Sequence, residues 1–380
     1  MFQPTDEQKE LIEGAREAAE AYLSETAKDD DEQERFRPDY MQALGEAGLC
    51  GVQTSEDYEG LGLGYLEYAM VLEEIAKVSA SYAVSVAVTG LPQVILQAYG
   101  TEAQKNRWMP GLAQGQLLGA FALSEPDSGS DAGSLMTTAV KAGNEYILNG
   151  RKFWITHGGY ADVYVVMART GGPGAKGVSS FLVPKGVSGL SFGKKEEKMG
   201  LRASPTVEMI LDNVRIPADN LIGQEGMGFN VAMSALDSGR ITIAAISVGV
   251  AKAAMDAAAD YACIRQQFKR PIIDFQGVGF MLADMATRIE SGRLLVHKAA
   301  WLKDSGKPFT VVASMAKCAC TDTAMAVTQD AVQVFGGYGY TREYPVERYM
   351  RDAKVMQIVE GTNQIQRLVI ARSLKHERRI

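Results

Sequence analysis

The segment EYILNGRKFWIT, residues 145–156, sets the class of fold for this chain of 380 residues. It is rich in β-branched and aromatic residues, and DVYVVMART (162–170), VSSFLVPKG (178–186) and TVEMILDNVRIP (206–217) share this character. Gly, Pro and Asn punctuate these segments, as expected for short antiparallel strands. About seven such segments in roughly a hundred residues predict a small β-barrel or β-sandwich.

Helical sequence lies on both sides of this β region. In residues 1–120, Thr5 and Gln8 form a predicted capping box ahead of an apolar-periodic segment. Further on, an apolar stripe from Val278 to Ala299 recurs at spacings of four and three, as in a helix-bundle seam. We therefore expect an α+β fold with three domains: an all-helical N-terminal domain (1–120), a small antiparallel β-barrel or sandwich domain (121–228) and a C-terminal four-helix bundle (229–380).

Composition and charge exclude several classes of function. A formal net charge of −7 and a pI near 5.3 argue against a general binder of nucleic acid or anionic membranes. No apolar run approaches the roughly 18 residues of a membrane span. The first residues also lack the basic and apolar regions of a signal peptide. We therefore expect a cytoplasmic, bacterial protein without membrane or nucleic-acid partners.

Metal and nucleophile chemistry have few candidate residues. The four cysteines include the pair Cys318 and Cys320, but no second cluster completes a zinc site, so no metal is expected. Three histidines leave little room for Ser-His or Cys-His catalysis. His297 lies in an amphipathic helical pattern, where a structural role is expected.

One glycine-rich segment imitates a nucleotide-binding loop. GGPGAKG, residues 171–177, has the spacing of a dinucleotide motif at Gly172, Gly174 and Gly177. That motif needs a strand before it and a helix after it, so that phosphate meets a helix N-terminus. Strand patterns lie on both sides here, so we predict a hairpin loop and no Rossmann domain.

Four other segments have compositions suited to a ligand: FALSEPDSGSD (121–131), FWITHGG (153–159), FGGYGY (335–340) and VMQIVEGTNQIQRLVI (355–370). The first offers backbone N–H groups and hydroxyls, and the second sets a tryptophan beside a hydroxyl residue and two glycines. The third permits close backbone approach. In the fourth, Glu360 follows two apolar residues. Taken singly, they also fit a polar turn, a core tryptophan, a helix C-cap and a solvated helix charge.

Taken together, these segments carry a family resemblance. LSEPDSGSD, WITHGG, VQVFGGYGY, EYPVERYMRDAK and IVEGTNQIQRLVIAR resemble, in this order, segments of the acyl-CoA dehydrogenase flavoproteins. The resemblance extends over essentially the whole chain and includes the helix–barrel–helix layout. LDSGRI, residues 236–241, is most similar to the short-chain and branched-chain members. The resemblance implies FAD-dependent α,β-dehydrogenation of a saturated, short or branched acyl-CoA to a trans-2-enoyl-CoA.

In that family FAD lies between the β-domain and the C-terminal helices. Backbone donors near flavin N5 and O2 can stabilise negative charge on the reduced ring, and an arginine suits the anionic pyrophosphate. The resemblance implies loop contacts from Phe121, Leu123, Ser124, Gly129 and Ser130; ring contacts from Trp154, Ile155 and Thr156; contacts toward the pyrophosphate and adenosine from Arg265, Phe268, Gln276, Gln333, Gly336 and Gly337; and contacts after the catalytic glutamate from Thr362 and Gln364.

The resemblance makes Glu360 the base that removes the substrate α-proton, while the β-hydrogen passes as hydride to flavin N5. Some members place the base on an earlier helix, at the position matching Gly239 here. A desolvated carboxylate has a raised pKa and is a better base than a solvated one. The Glu360 backbone N–H resembles the group that hydrogen-bonds the thioester oxygen. Substrate contacts are implied for Ser130, Asp237, Arg240 and Gly361.

Partners and alternatives follow from the same resemblance. It implies a homotetramer built as a dimer of dimers, with FAD contacts that cross subunits, and electron-transfer flavoprotein as acceptor. Glutaryl-CoA dehydrogenases carry an arginine where this chain has Ala83, so a dicarboxylyl substrate is not expected. One alternative is an acyl-CoA oxidase that uses oxygen, although oxidases are usually longer. Another is a DNA-binding alkylation-response flavoprotein, which the acidic composition disfavours. A nitroalkane oxidase is expected to have Asp at position 360.

Overall fold

The computed structural model describes residues 3–377, and the first part of this chain is helical. Its α-helices are α1 (Asp6–Leu23), α2 (Ala27–Glu32), α3 (Pro38–Glu46), α4 (Tyr65–Val78), α5 (Ala80–Tyr99) and α6 (Glu102–Ala113). The predicted capping box is confirmed: Thr5 Oγ1 accepts from the Gln8 N–H at 3.2 Å, and Gln8 Oε1 accepts from the Thr5 N–H at 3.0 Å. This reciprocal pair satisfies two of the N–H groups that a helix start leaves free.

The middle of the chain forms one eight-stranded sheet. Its strands are β1 (Gly119–Ala122), β2 (Thr138–Ala142), β3 (Glu145–Thr156), β4 (Val163–Arg169), β5 (Val178–Pro184), β6 (Leu190–Lys195), β7 (Thr206–Pro217) and β8 (Leu221–Ile222). They follow the order β6-β7-β3-β2-β4-β5-β8, and β1 pairs with β4. The glycine-rich segment at 171–177 connects the antiparallel strands β4 and β5, which confirms the hairpin prediction.

The predicted sheet was wholly antiparallel, and the structure differs because β4 has two parallel neighbours: β2, at Thr138 opposite Arg169, and β1, over four residues. β1 pairs with β4 in parallel, from Gly119 opposite Val163 to Ala122 opposite Val166. Parallel neighbours need a long connection, and the β2–β3 hairpin supplies one between β1 and β4. β1 has only four residues, too few for the sequence pattern to show its direction.

Helices return after the sheet. They are α7 (Gly228–Ile264), α8 (Gln276–Asp304), α9 (Thr310–Phe335), α10 (Val346–Met356) and α11 (Asn363–Glu377), with the short strands β9 (Gln266–Gln267) and β10 (Arg270–Pro271) between α7 and α8. α7, α8 and α9 pack against one another, and α10 and α11 pack on α9. The predicted stripe is the buried face of α8 from Met285 onward, whereas Val278 and Leu282 are half-buried.

The N-terminal helices are tied to the C-terminal helices through α4. The buried Glu73 accepts from Arg293 of α8 at 2.8 Å. The Asp304 carboxylate at the end of α8 accepts the backbone N–H groups of Tyr65 and Leu66, at 2.8 and 3.0 Å. A carboxylate at a helix N-terminus is favourable because it faces unpaired N–H groups and the positive end of the helix dipole. These contacts fix α4 beside α8.

Two helices in this core are longer and more apolar than the sequence prediction allowed for. By length and composition, α5 and α7 could each cross a membrane. However, 83% of the apolar window of α5 and 72% of that of α7 is buried inside the protein. Both are therefore core helices of this fold.

The two boundaries between the three predicted domains stay a prediction. In the structure β1 begins at Gly119, two residues before the predicted boundary, and α7 begins at Gly228, one residue before it. Residues 1–2 of the predicted N-terminal domain and 378–380 of the C-terminal domain lie outside the described residues.

The contact between α4 and α7 generates the first testable prediction. A Cβ added at Gly249 would lie 2.3 Å from the Glu73 carbonyl oxygen and 2.8 Å from Ala76 Cβ. Because a backbone atom cannot move aside cheaply, Gly249→Ala should destabilise the fold by about 1–3 kcal/mol. Gly14→Ala is the matched control, since Gly14 is an exposed position of α1 with open space around it. It should stabilise by up to about 1 kcal/mol. Equal melting temperatures for the two variants would contradict the packing described.

Candidate active site

Glu360 lies in the turn between α10 and α11, not in a helix. Its φ is +54°, and Gly361 follows with φ +84°, so two consecutive residues are in the left-handed region. Such backbone costs free energy for a non-glycine residue and persists only where its surroundings hold it. Here Gln366 Nε2 donates to the Glu360 and Gly361 carbonyls at 3.1 and 2.8 Å, and Lys317 Nζ donates to Gly361 O at 2.9 Å. The turn is thus held by side chains from α9 and α11.

The Glu360 carboxylate lies directly against Gly239 of α7. A Cβ added at Gly239 would be 2.3 Å from Glu360 Oε2 and 2.7 Å from Cδ. Only a glycine therefore leaves room for the carboxylate in this position. Gly239 also matches the position at which other members of the resembled family carry the base. The structure therefore places the two candidate positions for the base next to each other.

The electrostatics of Glu360 follow from the burial of its carboxylate, while the residue as a whole is half-buried. Among residues 3–377, Glu360 Oε2 is shielded from solvent without a hydrogen-bond partner. Burial raises the pKa of Glu360 to about 7, against the opposing influence of the Arg240 and Lys317 cations. The pKa rises because desolvation disfavours the charged form of a carboxyl group. The solvated helix charge considered for Glu360 is therefore wrong.

Arg240 and Asp237 are already partners of each other. Arg240 is 6% exposed and donates to Asp237 Oδ1 at 2.5 Å and to Ser314 Oγ at 3.3 Å. The other Asp237 oxygen accepts from Thr310 Oγ1 at 2.6 Å. Among the described residues, the Glu360 backbone N–H has no hydrogen-bond partner. It is therefore an available donor beside the carboxylate.

A register shift in the sheet exposes Trp154. Inward-facing residues of β3 alternate from Tyr146 to Leu148 and Lys152, and the same alternation would bury Trp154. The pairing of β3 with β7 shifts between Lys152 and Ile155, so Ile155 becomes the buried residue. Trp154 has φ +63° and is 60% exposed. The core tryptophan considered from the sequence is therefore wrong, and an indole face is available to a ligand.

The loop after β1 is joined to this tryptophan segment. The Phe153 N–H donates to Ser124 O at 2.9 Å. Of the other predicted contacts in the two segments, Phe121 and Thr156 are half-buried, Leu123 is buried, and Gly129 and Ser130 are exposed. Leu123 and Ile155 are 7% and 1% exposed, so their side chains belong to the core beside these loops.

A buried ion pair that sequence analysis missed holds this loop. Lys152 Nζ donates to Glu125 Oε1 at 2.8 Å and to Leu123 O at 3.0 Å. Glu125 also accepts the N–H groups of Met136 and Thr137, at 2.5 and 2.9 Å. Burial lowers the pKa of Lys152 to about 8, although Glu125 opposes this. The sequence did contain a signal for this ion pair. Lys152 occupies an inward-facing position of β3, and a buried charge requires a partner.

Three of the six predicted adenosine-side residues, Arg265, Gly336 and Gly337, line a separate cleft. It has a volume of about 670 Å³ and is lined by Tyr261, Arg265, Gly336, Gly337 and Tyr338, among others. Gly336 has φ +62° at the end of α9, so it is also the helix cap that the sequence suggested. Phe268 is 88% exposed on the β9–β10 turn. Gln276 is the first residue of α8, and Gln333 is exposed in the last turn of α9.

The remaining predicted residues, Thr362 and Gln364, lie at the start of α11, close to Glu360 in the chain. Thr362 Oγ1 accepts the Ile365 N–H at 3.3 Å and so caps the start of α11, and Gln364 is exposed. The structure therefore brings the predicted residues together in three groups: the Glu360 turn with Gly239 and Arg240, the joined loops of Ser124 and Trp154, and the cleft of Arg265 and Gly336. Among residues 3–377, no cluster of three or more His, Cys, Asp or Glu side chains is placed to hold a metal ion.

These features fit a flavin dinucleotide. Trp154 offers an exposed aromatic surface for a ring. An added Cβ at Gly129, Gly336 or Gly337 would meet no heavy atom within 4 Å, so a large ligand can approach the backbone there. Arg265 in the cleft can form charge-assisted hydrogen bonds to a pyrophosphate.

Comparison with known proteins establishes the family. Models of the N-terminal, middle and C-terminal domains of acyl-CoA dehydrogenases match residues 5–116, 120–214 and 226–375. The chain therefore belongs to the acyl-CoA dehydrogenase family, whose members are FAD-dependent oxidoreductases acting on CH–CH groups. The resemblance found in the sequence and the predicted fold class are confirmed.

Particular relatives agree over almost the full length. A short-chain-specific acyl-CoA dehydrogenase of Clostridium acetobutylicum is 45% identical over 97% of this chain and 98% of its own. The solved structure of butyryl-CoA dehydrogenase from Megasphaera elsdenii is similar with a TM-score of 0.97 and 43% identity, covering 99% of this chain and 100% of its own. A chain in a structure of the electron transferring flavoprotein of Acidaminococcus fermentans has a TM-score of 0.96 and 45% identity, covering 98% and 99%.

The contact between Glu360 and Gly239 generates the second prediction. Gly239→Ala should displace the Glu360 carboxylate by roughly 1 Å, because a carbon and an oxygen at 2.3 Å lie far inside van der Waals contact. The neighbour is the end of a side chain rather than a backbone atom, so the melting temperature should fall less than for Gly249→Ala. A crystal structure of the variant measures the displacement. An unmoved carboxylate would show that Gly239 does not set its position.

Proposed function

We propose that this chain is an acyl-CoA dehydrogenase for short or branched acyl-CoA thioesters, with Glu360 as the base that takes the α-proton. The single observation that carries the proposal is the shielded Glu360 carboxylate against Gly239, with its pKa raised to about 7. A base whose pKa lies near the working pH combines a useful ionised fraction with good proton affinity. The similarity to short-chain-specific relatives supports the same reaction.

The residues proposed to hold FAD divide between the joined loops and the cleft. The segments at 121–131 and 153–159 would contact the isoalloxazine ring, with Trp154 presenting its face. Arg265, Gly336 and Gly337 would contact the pyrophosphate and adenosine, together with Phe268, Gln276 and Gln333. When bound, FAD supplies the acceptor that takes the substrate β-hydrogen with its electron pair.

The chain's own residues are assigned to the other half of the reaction. The Glu360 carboxylate takes the α-proton, and the C–H electron pair moves toward the thioester carbonyl. The free Glu360 N–H is a donor for the oxygen on which negative charge develops. Ser130 and Gly361 are proposed along the substrate. Because Asp237 and Arg240 already bond to each other, we propose that they contact the pantetheine as one hydrogen-bonded unit.

The acyl chain is proposed to be short or branched and uncharged at its far end. Ala83 is 0% exposed in the first turn of α5 and provides no charge for a second carboxylate. The names of the relatives, short-chain-specific and isobutyryl-CoA dehydrogenases, support this class. A panel of straight, branched and cyclic acyl-CoAs distinguishes chain length from branching.

Electron-transfer flavoprotein is proposed as the acceptor, and a homotetramer built as a dimer of dimers as the assembly. The similar chain in the A. fermentans structure supports the first proposal. The exposed Phe268 beside the cleft supports FAD contacts across a subunit boundary. A cytoplasmic location is proposed from the bacterial relatives. Light scattering of the FAD-loaded protein tests the assembly.

Glu360→Gln is the third prediction. Glutamine keeps the shape of the side chain but cannot accept the proton, so flavin reduction by a saturated acyl-CoA should slow by about 10²–10⁴-fold or more. Anaerobic stopped-flow absorbance at the flavin band measures this rate. FAD content and binding of an enoyl-CoA product should be unchanged, because the lost interaction belongs to the transition state. A rate within about tenfold of wild type would sink the assignment.

The fourth prediction concerns the electron acceptor. With acyl-CoA in excess, electron-transfer flavoprotein should support turnover, while NAD should not. Under air, hydrogen peroxide should form much more slowly than the electron-transfer flavoprotein is reduced. Stoichiometric peroxide formation at the turnover rate would instead identify an acyl-CoA oxidase.

A further inference from the structure

Lys317 is a buried ammonium group that the proposed reaction leaves without a role. It lies in α9, and its side chain is 0% exposed. In the part of the chain that the structure describes, it forms no salt bridge, and its Nζ donates to two neutral oxygens. These are Gly361 O and Asn363 Oδ1, both at 2.9 Å. Burial of a charge without an ionic partner is costly, so a lysine at this place requires a reason.

The first bond connects Lys317 to the Glu360 turn. Gly361 O accepts from both Lys317 Nζ and Gln366 Nε2, which uses its two lone pairs. Gln366 also holds the Glu360 carbonyl. Because Glu360 and Gly361 are both left-handed, the direction of the carboxylate depends on these bonds. Lys317 and Gln366 thus restrain the same backbone segment, Lys317 through a charged donor and Gln366 through a neutral donor.

The second connection is electrostatic. Burial lowers the pKa of Lys317 to about 8, and Glu360 is the strongest opposing influence, followed by Cys318 and Asp322. In return, the Lys317 cation lowers the pKa of Glu360, as Arg240 also does. The other titratable groups that face this region are Tyr65 of α4, whose pKa is raised chiefly by burial, and Asp237 of α7, which is paired with Arg240.

We propose that Lys317 is a positioning residue for the dehydrogenation: it fixes the Glu360–Gly361 turn through Gly361 O, and its charge stabilises the ionised form of the base. This inference rests on the proposed role of Glu360. It deepens that role by naming a group that orients the base and, with Arg240, lowers its proton affinity.

The experiment compares Lys317→Met with Gln366→Met. Both variants remove a donor to Gly361 O, so both should slow anaerobic flavin reduction, by up to about 10²-fold. Only Lys317→Met removes a positive charge near Glu360. The rate rises with pH as Glu360 ionises. In Lys317→Met the midpoint of this rise should move to higher pH by about 0.5 to 1 pH unit. This shift is smaller than the one caused by removing a cation that is directly paired with a carboxylate. In Gln366→Met the midpoint should stay at the wild-type pH.

Controls separate the possible failures. FAD content and melting temperature are measured for each variant, and Lys317→Gln replaces Lys317→Met if the latter does not fold, because it also removes the charge. An unmoved midpoint in the lysine variant, while Glu360→Gln is slow, overturns the inference about Lys317 alone. A wild-type rate for Glu360→Gln overturns the proposed function and this inference with it. An equal midpoint shift in both Met variants would show that the charge is not the cause.

Discussion

The site depends on one steric and electrostatic constraint: a carboxylate must be buried against a helix that has no side chain at the facing position. Gly239 provides the space, and the left-handed turn at Glu360 and Gly361 directs the carboxylate into it. The arrangement opposes stability, because a carboxyl group with a raised pKa destabilises the folded state increasingly as the pH rises from about 4.5 toward 7. The hydrogen bonds from Lys317 and Gln366 hold this turn in the left-handed conformation, which the isolated backbone would avoid.

The sheet also has a local irregularity beside the proposed site. The register shift between Lys152 and Ile155 in the β3–β7 pairing turns Trp154 outward and Ile155 inward without interrupting the core. The buried pair of Glu125 and Lys152 then fixes the neighbouring loop through four hydrogen bonds. Both features place polar or strained groups where ligand contact is proposed, and local strain is often concentrated at such sites. The register shift and the buried ion pair therefore lie beside the proposed site, and the regular packing lies away from it.

Much of the fold could be predicted from the sequence, because helices and hairpins have periodic patterns. The cap at Thr5, the α8 stripe and the β4–β5 hairpin are examples. The parallel pairing of β1 could not be predicted, since four residues carry no directional signal. For the site, Glu360 and the flavin-loop residues were assigned by family resemblance, and no spacing argument located them. Lys152 and Lys317 were missed, although both occupy core phases of their elements, because the sequence does not show which oxygen a buried lysine will meet.

Burial raises the pKa of the Glu360 carboxyl group to about 7, and this makes the group a proton acceptor near neutral pH. The most direct measurement is an infrared difference titration of the carboxyl C=O band in the substrate-free, FAD-loaded protein, with Glu360→Gln subtracted, from about pH 4 to pH 9. We predict one carboxyl band, absent from the variant, that disappears as the pH rises, with a midpoint of about 7. A midpoint near 4.5, the ordinary value for a solvated glutamate, would contradict it.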